Sequence, residues 1–505
     1  MLSTNPTSPR IQTSALHRAH IRSLLRDLDK KTFSGTAYDT AWVARVMEPA
    51  GKQQPSYPRA LEWLRKHQHP NGSWGSDIEY YHDRIISTLS AILALAKAGK
   101  TAADRLAIQR GERYIWEKID LLPQEPHDTV GFELLLPMLF DEARKINLDL
   151  PYEKCDPYRA IRASKLGMIP PYLLYSRKVS STHSLEFMGG GLNLDLLEGL
   201  QELNGSFGNS PSATAYILTH CPDNEPARKY LSEVTLLDSG SAMSAHPVEV
   251  FNKSWVLYNL ELTGTLSDYA ELAHPHLDSL WKSWDNTRGV GFSRDYPVPD
   301  LDDTAVVFKL LKRAGFPVDA DAFLQFEKET YFTCYTFERT PSIGANVHLL
   351  DALGAWLGYE HRPRMVKKIL RFLRSVRLDD AYWLDKWHIS PYYITSHAII
   401  ASIGFDNELA RDAVRWILST QRSDGAWGWF RPTAEETAYC IQALATYHNQ
   451  VDRVNTSVIY QAADYLSRQY GAWEMPNMWI EKCLYTPEHI VESTILSAMI
   501  MSINL

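Results

Sequence analysis

Apolar residues recur at helical spacing along most of the chain. Steps of three and four residues connect the apolar positions of two well-separated segments: Ile85, Leu89, Ile92 and Leu93, and Val414, Ile417 and Leu418. Such steps place side chains on one face of an α-helix, whereas a half-buried strand needs alternation at every second residue, which no long stretch of this sequence shows. The pattern therefore predicts an all-α fold.

An internal repeat organises these helices. Three segments each contain an amphipathic helix, a Gln-x-x-x-Gly-x-aromatic turn and a second helix of apolar and small residues. The turns are Gln68–Trp74, Gln201–Phe207 and Gln421–Trp427; the helices before them are predicted at Ala60–Arg65, Leu196–Leu200 and Val414–Leu418, and those after them at Ile85–Leu95, Ala213–Leu218 and Ala434–Leu444. The Gly permits a tight reversal and the Gln amide can satisfy backbone groups at a helix end. We interpret these turns as structural.

Repeated helical hairpins must stack to cover their apolar faces. A closed double ring of helices buries every such face and leaves a central cavity. The 505 residues also exceed what one hydrophobic core usually serves. We therefore predict two α/α barrels, with the polar stretch Gly264–Asp268 as one boundary between them.

The composition narrows the possible partners and compartments. The formal net charge is −8 and no Lys/Arg-rich run occurs, so nucleic acid is not an expected partner. The five cysteines lack CxxC spacing, which argues against a disulfide framework or a zinc site and fits a reducing cytoplasm. Residues Met1–Arg10 lack the apolar core of a signal peptide, and the apolar stretch Ile85–Ala96 is too short to span a bilayer. We expect a cytoplasmic protein without a transmembrane segment.

Three carboxyl groups cluster in the sequence Asp300-Leu-Asp302-Asp303, directly before the predicted helix Val306–Leu311. Aspartates at this position usually cap the helix, but one cap accounts for only one Asp. Crowded carboxyls cannot all ionise together, so the cluster can hold a proton at rest. It therefore suits protonation of an alkene, and the resulting carbocation would need a dry pocket of aromatic rings.

Nine landmarks along nearly the whole chain resemble the class II diterpene cyclases of bacteria and plants, whose acid motif is DxDD. They are Thr36–Trp42, Asn71–Gly75, Asp83–Arg84, Gly131–Glu133, His183–Glu186, Asn204–Phe207, Asp300–Asp303, Asp385–Trp387 and Trp479–Lys482. The resemblance implies a βγ architecture: residues 1–48 and 266–505 form the β barrel that carries the acid motif, and residues 49–265 form an inserted γ barrel. The active site would lie between the barrels.

The same resemblance assigns the acid. Asp302 is the implied proton donor, Asp300 and Asp303 are its supporting partners, and His348 is the residue hydrogen-bonded to it. An imidazole bonded to one carboxyl oxygen would orient the proton on the other oxygen toward the alkene. A buried structural histidine is the alternative for His348.

The family binds the diphosphate with an acidic segment and nearby cations. The acidic segment corresponds to Glu125-Pro-His-Asp128, and the resemblance implies that magnesium, Mg²⁺, bridges Glu125 and Asp128 to phosphate oxygens. The candidate cations that would clamp the diphosphate are Lys165, Arg177 and Lys178. A plain surface loop is the alternative for the acidic segment, and solvated surface charge is the alternative for each cation.

The residue that ends the reaction is implied by the landmark at His183. In several plant members this histidine pairs with an asparagine to remove the last proton, so His183 is the candidate final base. Here the asparagine position falls near Ser244. Because the last base decides whether the first bicyclic cation is quenched or rearranges, this departure favours halimadane or clerodane skeletons.

The chain contains neither DDxxD nor an Asn/Asp-xx-Ser/Thr-xxx-Glu triad, so the reaction should begin by protonation and retain the diphosphate. We predict cyclisation of an isoprenoid diphosphate, geranylgeranyl diphosphate, to a labdane, halimadane or clerodane diphosphate such as kolavenyl diphosphate. A downstream class I terpene synthase or a phosphatase would consume that product. The alternatives are a drimenyl diphosphate synthase that uses farnesyl diphosphate, an α/α-barrel glycan hydrolase with two acids on opposed walls, and a non-catalytic helical-repeat binding protein.

Overall fold

The computed structural model describes residues 9–30, 33–49, 54–235, 239–338 and 340–505, and this part of the chain is mainly helical. Its helices are α1 (Pro9–Asp27), α2 (Ala37–Ala44), α3 (Pro58–Lys66), α4 (Tyr81–Ala98), α5 (Ala102–Lys118), α6 (Phe132–Lys145), α7 (Asp156–Met168), α8 (Pro171–Leu174), α9 (Pro211–His220), α10 (Glu225–Val234), α11 (Glu249–Leu262), α12 (Ala270–Ser283), α13 (Leu301–Arg313), α14 (Ile343–Leu353), α15 (Arg362–Ser375), α16 (Pro391–Ser402), α17 (Asn407–Ser419), α18 (Ala434–Gln450), α19 (Thr456–Arg468) and α20 (Glu488–Ile503). Short 3₁₀ helices cover Ile119–Gln124, Tyr152–Cys155, Ser180–Gly191, Leu194–Leu196, Leu266–Tyr269 and Ala320–Phe326. Two antiparallel pairs of two-residue strands join β1 (Gly35–Thr36) to β2 (Ala242–Met243) and β3 (Trp479–Ile480) to β4 (Leu484–Tyr485). The all-α prediction is confirmed.

The C-terminal barrel is a closed ring of six inner helices. Helices α11, α13, α14, α16, α18 and α20 pack in this order, and α20 returns to α11. Helices α1, α12, α15, α17 and α19 pack against them from outside. Every residue of α16 is buried, as expected for an inner helix, whereas α15 buries only a stripe, namely Met365, Ile369, Phe372 and Leu373. Inner helices that are buried on all sides and outer helices that are buried along one stripe together form the predicted double ring.

The N-terminal barrel closes in the same way with fewer helices. Its inner ring runs from α2 through α4, α6, the 3₁₀ segment Ser180–Gly191 and α9, which contacts α2 again. Helices α3, α5, α7 and α10 pack against inner helices from outside. Helix α4, for example, is buried continuously from His82 to Leu95. Both predicted α/α barrels are present.

Two inner helices depart from the predicted division into residues 1–48 plus 266–505 and residues 49–265. Helix α2 lies before residue 49 but packs on α3, α4 and α9 of the N-terminal barrel. Helix α11 lies before residue 266 but packs on α13 and α20 of the C-terminal barrel. Each of these helices closes the ring to which it belongs, so packing rather than the polar stretch Gly264–Asp268 decides its barrel.

The glutamines of the three repeat turns bond within the turn, rather than to the helix end that the sequence predicts. Each Gln side-chain amide donates to the carbonyl oxygen of the turn Gly, at 2.8 Å in Gln68, 2.8 Å in Gln201 and 2.9 Å in Gln421. Gly72 has φ of 93°, and a Cβ there would lie 2.5 Å from the carbonyl oxygen of Arg110. The turn therefore requires Gly for both its backbone angle and its close packing.

One predicted helix is wrong. The segment Leu196–Leu200 before the second turn is not α-helical; only the 3₁₀ helix Leu194–Leu196 forms there. Gly199 has φ of 80°, outside the helical range, and a run of three glycines precedes the segment at residues 189–191. Glycine loses the most conformational freedom on becoming helical, which disfavours a regular helix here.

A hairpin of the C-terminal segment reaches across to the N-terminal barrel. The hairpin is β3–β4 with its turn, residues 479–485. The backbone N–H of Leu484 donates to Oδ1 of Asp83 at 3.0 Å, and that of Val130 donates to the carbonyl oxygen of Glu481 at 2.9 Å. These bonds fix the hairpin beside a space between the two barrels.

Candidate active site

A cavity of about 1010 Å³ lies between the barrels. The N-terminal barrel contributes lining residues within 126–134, 165–187 and 244–248; the C-terminal barrel contributes residues within 292–303, residues 334–338, Thr340 and the hairpin. Its aromatic residues are Phe33, Phe187, Phe251, Phe292, Tyr296, Tyr335, Phe337, Trp387, Trp479 and Tyr485. The cavity thus provides the aromatic surface that a carbocation needs.

All three aspartates of the acid motif line this cavity at the start of α13. Asp300 is the N-cap residue, and its Oδ1 accepts the backbone N–H of Asp303 at 2.8 Å. Asp300 and Asp303 are each 3% exposed, and the side chain of Asp302 is 16% exposed. The capping interpretation is thus correct for Asp300 and leaves the other two carboxyls for another purpose.

The surroundings hold protons on the flanking carboxyls. Burial raises the pKa of Asp300 to about 8, and the neighbouring charge of Asp302 adds to the shift. Burial, together with the charges of Asp300 and Asp302, raises the pKa of Asp303 well above its ordinary value. Near neutral pH the motif therefore keeps protons that isolated aspartates would lose.

A chain of two histidines leads away from Asp302. Nδ1 of His348, on α14, lies 2.5 Å from Oδ1 of Asp302, and its Nε2 lies 2.7 Å from Nδ1 of His397 on α16. Burial lowers the pKa of His397 well below its ordinary value, and electrostatic interactions with His348, His388 and Lys309 lower it further. A neutral His397 therefore holds the far side of His348. Sequence reasoning missed His397, because a lone histidine inside an apolar helix is ordinarily a core residue.

The candidate final base His183 also lines the cavity, but both of its ring nitrogens are already engaged. Nδ1 lies 2.7 Å from the carbonyl oxygen of Gly208, and Nε2 lies 2.5 Å from Oε1 of Glu481. Glu481 lines the same cavity, as does Ser244. The group bonded to Nε2 of His183 is thus a carboxylate on the hairpin, to which sequence reasoning gave no role.

The predicted diphosphate and metal residues separate into two groups. Lys165, Lys178 and Asp128 line the cavity. Arg177 is outside its lining and pairs with Glu202, whose side chain is 1% exposed. Glu125 is outside it too, because its Oε1 accepts the backbone N–H of Tyr81 at 3.0 Å. The structure therefore does not bring Arg177 and Glu125 to the site that the sequence predicts for them.

Asp128 fits the demands of a phosphate-bound magnesium ion. Its side chain is 52% exposed, and Oδ1 lies 3.0 Å from Nε2 of His82. Lys165, paired with Glu133, contributes a cation to the same cavity. Mg²⁺ is commonly held by one or two carboxylates plus substrate phosphates rather than by an all-protein cage. Among the described residues, no group of three His, Cys, Asp or Glu residues could hold a metal ion, so such an ion would need the phosphates as ligands.

Known proteins with similar sequences identify the family. Residues 335–474 match the squalene-hopene cyclase C-terminal domain, and residues 29–118 match the prenyltransferase alpha-alpha toroid domain. The chain is 36% identical over 484 residues to the type B diterpene cyclase of Mycobacterium tuberculosis, covering 92% of this chain and 95% of the relative. The chain belongs to the class II diterpene cyclases. The second match joins α2 to α3–α5 in one domain, in agreement with the helix packing.

Plant relatives and solved structures extend the comparison. This class II cyclase is 33% identical over 410 residues to the kolavenyl diphosphate synthase TPS5 of Vitex agnus-castus, covering 80% of the chain and half the length of that relative. The structure of ent-copalyl diphosphate synthase from Streptomyces platensis superposes with a TM-score of 0.77 at 26% identity, covering 96% and 99% of the two chains. The structure of ent-copalyl diphosphate synthase from Arabidopsis thaliana, in complex with an aza analogue of geranylgeranyl thiolodiphosphate, superposes with a TM-score of 0.72 at 26% identity. The match covers 96% of this chain and 63% of the Arabidopsis chain. In the described part of this cyclase, no helix is long and apolar enough to span a membrane.

Proposed function

We propose that this class II diterpene cyclase protonates geranylgeranyl diphosphate at the alkene farthest from the diphosphate and closes two rings. The observation that carries the proposal is the position of Asp302, which lines a large aromatic cavity and lies 2.5 Å from His348. A hydrogen bond from the imidazole to Oδ1 leaves Oδ2 to carry the proton that is transferred. Two flanking carboxyls that stay protonated keep further negative charge away from the acid.

The rest of the cavity supports the later steps. Faces of Phe292, Tyr296 and Trp479 can stabilise the successive carbocations without capturing them. Lys165 and Lys178 can hold the diphosphate as an intact anionic anchor. Since Lys165, Lys178 and Asp302 all line the same cavity, a single extended substrate can contact both the cations and the acid.

The size of the cavity favours a C20 substrate over a C15 substrate. Its volume of about 1010 Å³ is at the upper end of the roughly 300–1,000 Å³ that ligand pockets usually have. The named relatives include kolavenyl and ent-copalyl diphosphate synthases. We propose a labdane, halimadane or clerodane diphosphate as the product, with kolavenyl diphosphate as one candidate.

The proposal includes Mg²⁺ and a second enzyme. Asp128 would hold the ion, which would neutralise part of the diphosphate charge, and Lys165 would bind phosphate oxygens directly. A product that keeps its diphosphate is a substrate for a class I terpene synthase or a phosphatase. We propose that these reactions take place in the cytoplasm.

The test is incubation with geranylgeranyl diphosphate and Mg²⁺, followed by phosphatase and mass spectrometry of the released alcohol. We expect a bicyclic C20 alcohol after phosphatase treatment and no hydrocarbon without it. Preferential consumption of farnesyl diphosphate in a parallel reaction would instead identify a drimenyl diphosphate synthase. If neither substrate is consumed, the proposed reaction is wrong.

Replacement of His397 by Phe should lower kcat about 10²-fold and leave KM nearly unchanged. Without its bond to His397, the His348 ring is held only by its contact with Asp302, and displacement of a catalytic group by about 1 Å can cost this much. Steady-state kinetics with geranylgeranyl diphosphate would measure both constants. His276, a buried histidine bonded to the carbonyl oxygen of Leu25 at 2.8 Å, gives the matched control variant His276→Phe. A kcat in His397→Phe equal to that of the wild type would refute the positioning role.

A further inference from the structure

The bonds of His183 decide which of its protons can be transferred. A backbone carbonyl oxygen only accepts hydrogen bonds, so Nδ1 of His183 must carry a proton toward Gly208. That leaves Nε2, whose neighbour at 2.5 Å is Oε1 of Glu481. Either Nε2 donates to a carboxylate or it accepts from a carboxylic acid. In both states no lone pair of the ring is left for a proton from the substrate.

The environment of Glu481 favours the ionised carboxylate. Its Oε2 accepts the backbone N–H of Lys482 at 2.5 Å, and the Lys482 ammonium lies close by. Burial alone would raise the pKa of Glu481, but the charges of His183 and Lys482 lower it below its ordinary value. Nε2 therefore donates to the Glu481 carboxylate, and the lone pairs that remain on the pair are those of the carboxylate oxygens.

We infer that Glu481 is the base that ends the reaction, and that His183 is a positioning residue that holds it. This inference rests on the proposed cyclisation. Glu481 reaches the cavity from the hairpin, and its side chain is 14% exposed. The rings of Phe292 and Tyr296 lie 6.1 and 6.4 Å from that of His183, so the carboxylate lies beside the aromatic surface where a cation would be stabilised.

The proton balance of the reaction closes with this assignment. Asp302 gives one proton to the alkene, and a C–H bond next to the final cation breaks. The electron pair of that bond forms the new C=C bond, and the proton passes to a Glu481 oxygen. A C–H bond beside a carbocation is strongly acidic, so a carboxylate with a lowered pKa remains a sufficient base. After product release, Glu481 returns its proton to solvent and Asp302 takes one up.

The test is the product profile of Glu481→Gln with geranylgeranyl diphosphate, read by mass spectrometry after phosphatase treatment. The amide keeps the shape and the hydrogen bond but removes the base. Because protonation by Asp302 comes first, we expect substrate consumption within about threefold of wild type, while the native product drops at least tenfold in favour of other alkene isomers or water-quenched alcohols. Glu481→Asp, which restores a carboxylate, should recover native product.

Two controls keep the outcomes separate. Glu492 forms another glutamate–histidine pair, with His20 at 2.6 Å on the outer side of the C-terminal barrel, so Glu492→Gln should retain the native product. A folded Glu481→Gln variant that still makes the native product would overturn the inference, whatever Glu481→Asp makes. Consumption of geranylgeranyl diphosphate by the wild-type enzyme tests the cyclisation itself, so failure of that proposal is seen independently.

Discussion

Replacement of Asp302 by Asn should lower the rate of cyclisation by about 10³-fold or more. General acid catalysis by a positioned side chain typically contributes about 10²–10⁴-fold, and an amide has no acidic proton to transfer. The substitution preserves the size of the side chain and an oxygen that can accept from His348, so the cavity should remain intact. Single-turnover kinetics with geranylgeranyl diphosphate, together with binding of a non-reactive analogue, would separate the lost chemical step from substrate binding.

The chain offers controls for both charge and fold. Asp380→Asn removes an aspartate whose side chain is 93% exposed and should leave the rate within a factor of two. Asp406 accepts the backbone N–H of Leu409 at 3.1 Å at the start of α17, so Asp406→Asn makes the same carboxyl-to-amide change at a helix start outside the cavity. If Asp302→Asn retained more than a tenth of wild-type activity, the acid would have to be another residue.

The features that could be predicted from sequence have short-range or repeated causes. Helical spacing predicts α13 and α18, and the Gln68, Gln201 and Gln421 turns follow from local hydrogen bonding. The pairing of Asp302 with His348 came from resemblance to a family, and the structure places the two side chains in contact. In the same way, the cavity brings together Lys165, Lys178 and Asp128, which are separated by up to 50 positions in the sequence.

The features that sequence reasoning missed depend on long-range packing. Nothing local indicates that His397 lies against His348, 49 residues earlier, or that Glu481 reaches His183, 298 residues earlier. The signal that could have exposed Glu481 is two consecutive charges, Glu481 and Lys482, inside an otherwise apolar hairpin. Likewise, the barrel to which α2 and α11 belong is set by ring closure rather than by the polarity of the nearest loop.

The hairpin also carries a fully buried ion pair between the barrels. Nζ of Lys482 lies 3.0 Å from Oε1 of Glu186, and both side chains are 0% exposed. Ser210 and Ser212 each contribute a hydroxyl oxygen 2.6 Å from Nζ, and the Tyr38 hydroxyl donates to Glu186 at 3.1 Å. Burial would lower the pKa of Lys482, but the charges of Glu186, Glu481 and Asp39 raise it above its ordinary value, so Lys482 stays charged at neutral pH.

Replacement of Lys482 by Met should destabilise the protein by about 3–5 kcal/mol, because removal of one member leaves the Glu186 carboxylate buried without a cation. The free energy of unfolding from a denaturant titration measures the loss. Lys367→Met, at an exposed position of α15, should change it by no more than about 0.5 kcal/mol. The double variant Lys482→Met/Glu186→Gln removes the stranded charge and should recover part of the loss. A change below about 1 kcal/mol in Lys482→Met would mean that the hairpin is held by its backbone bonds to Asp83 and Val130 rather than by the ion pair.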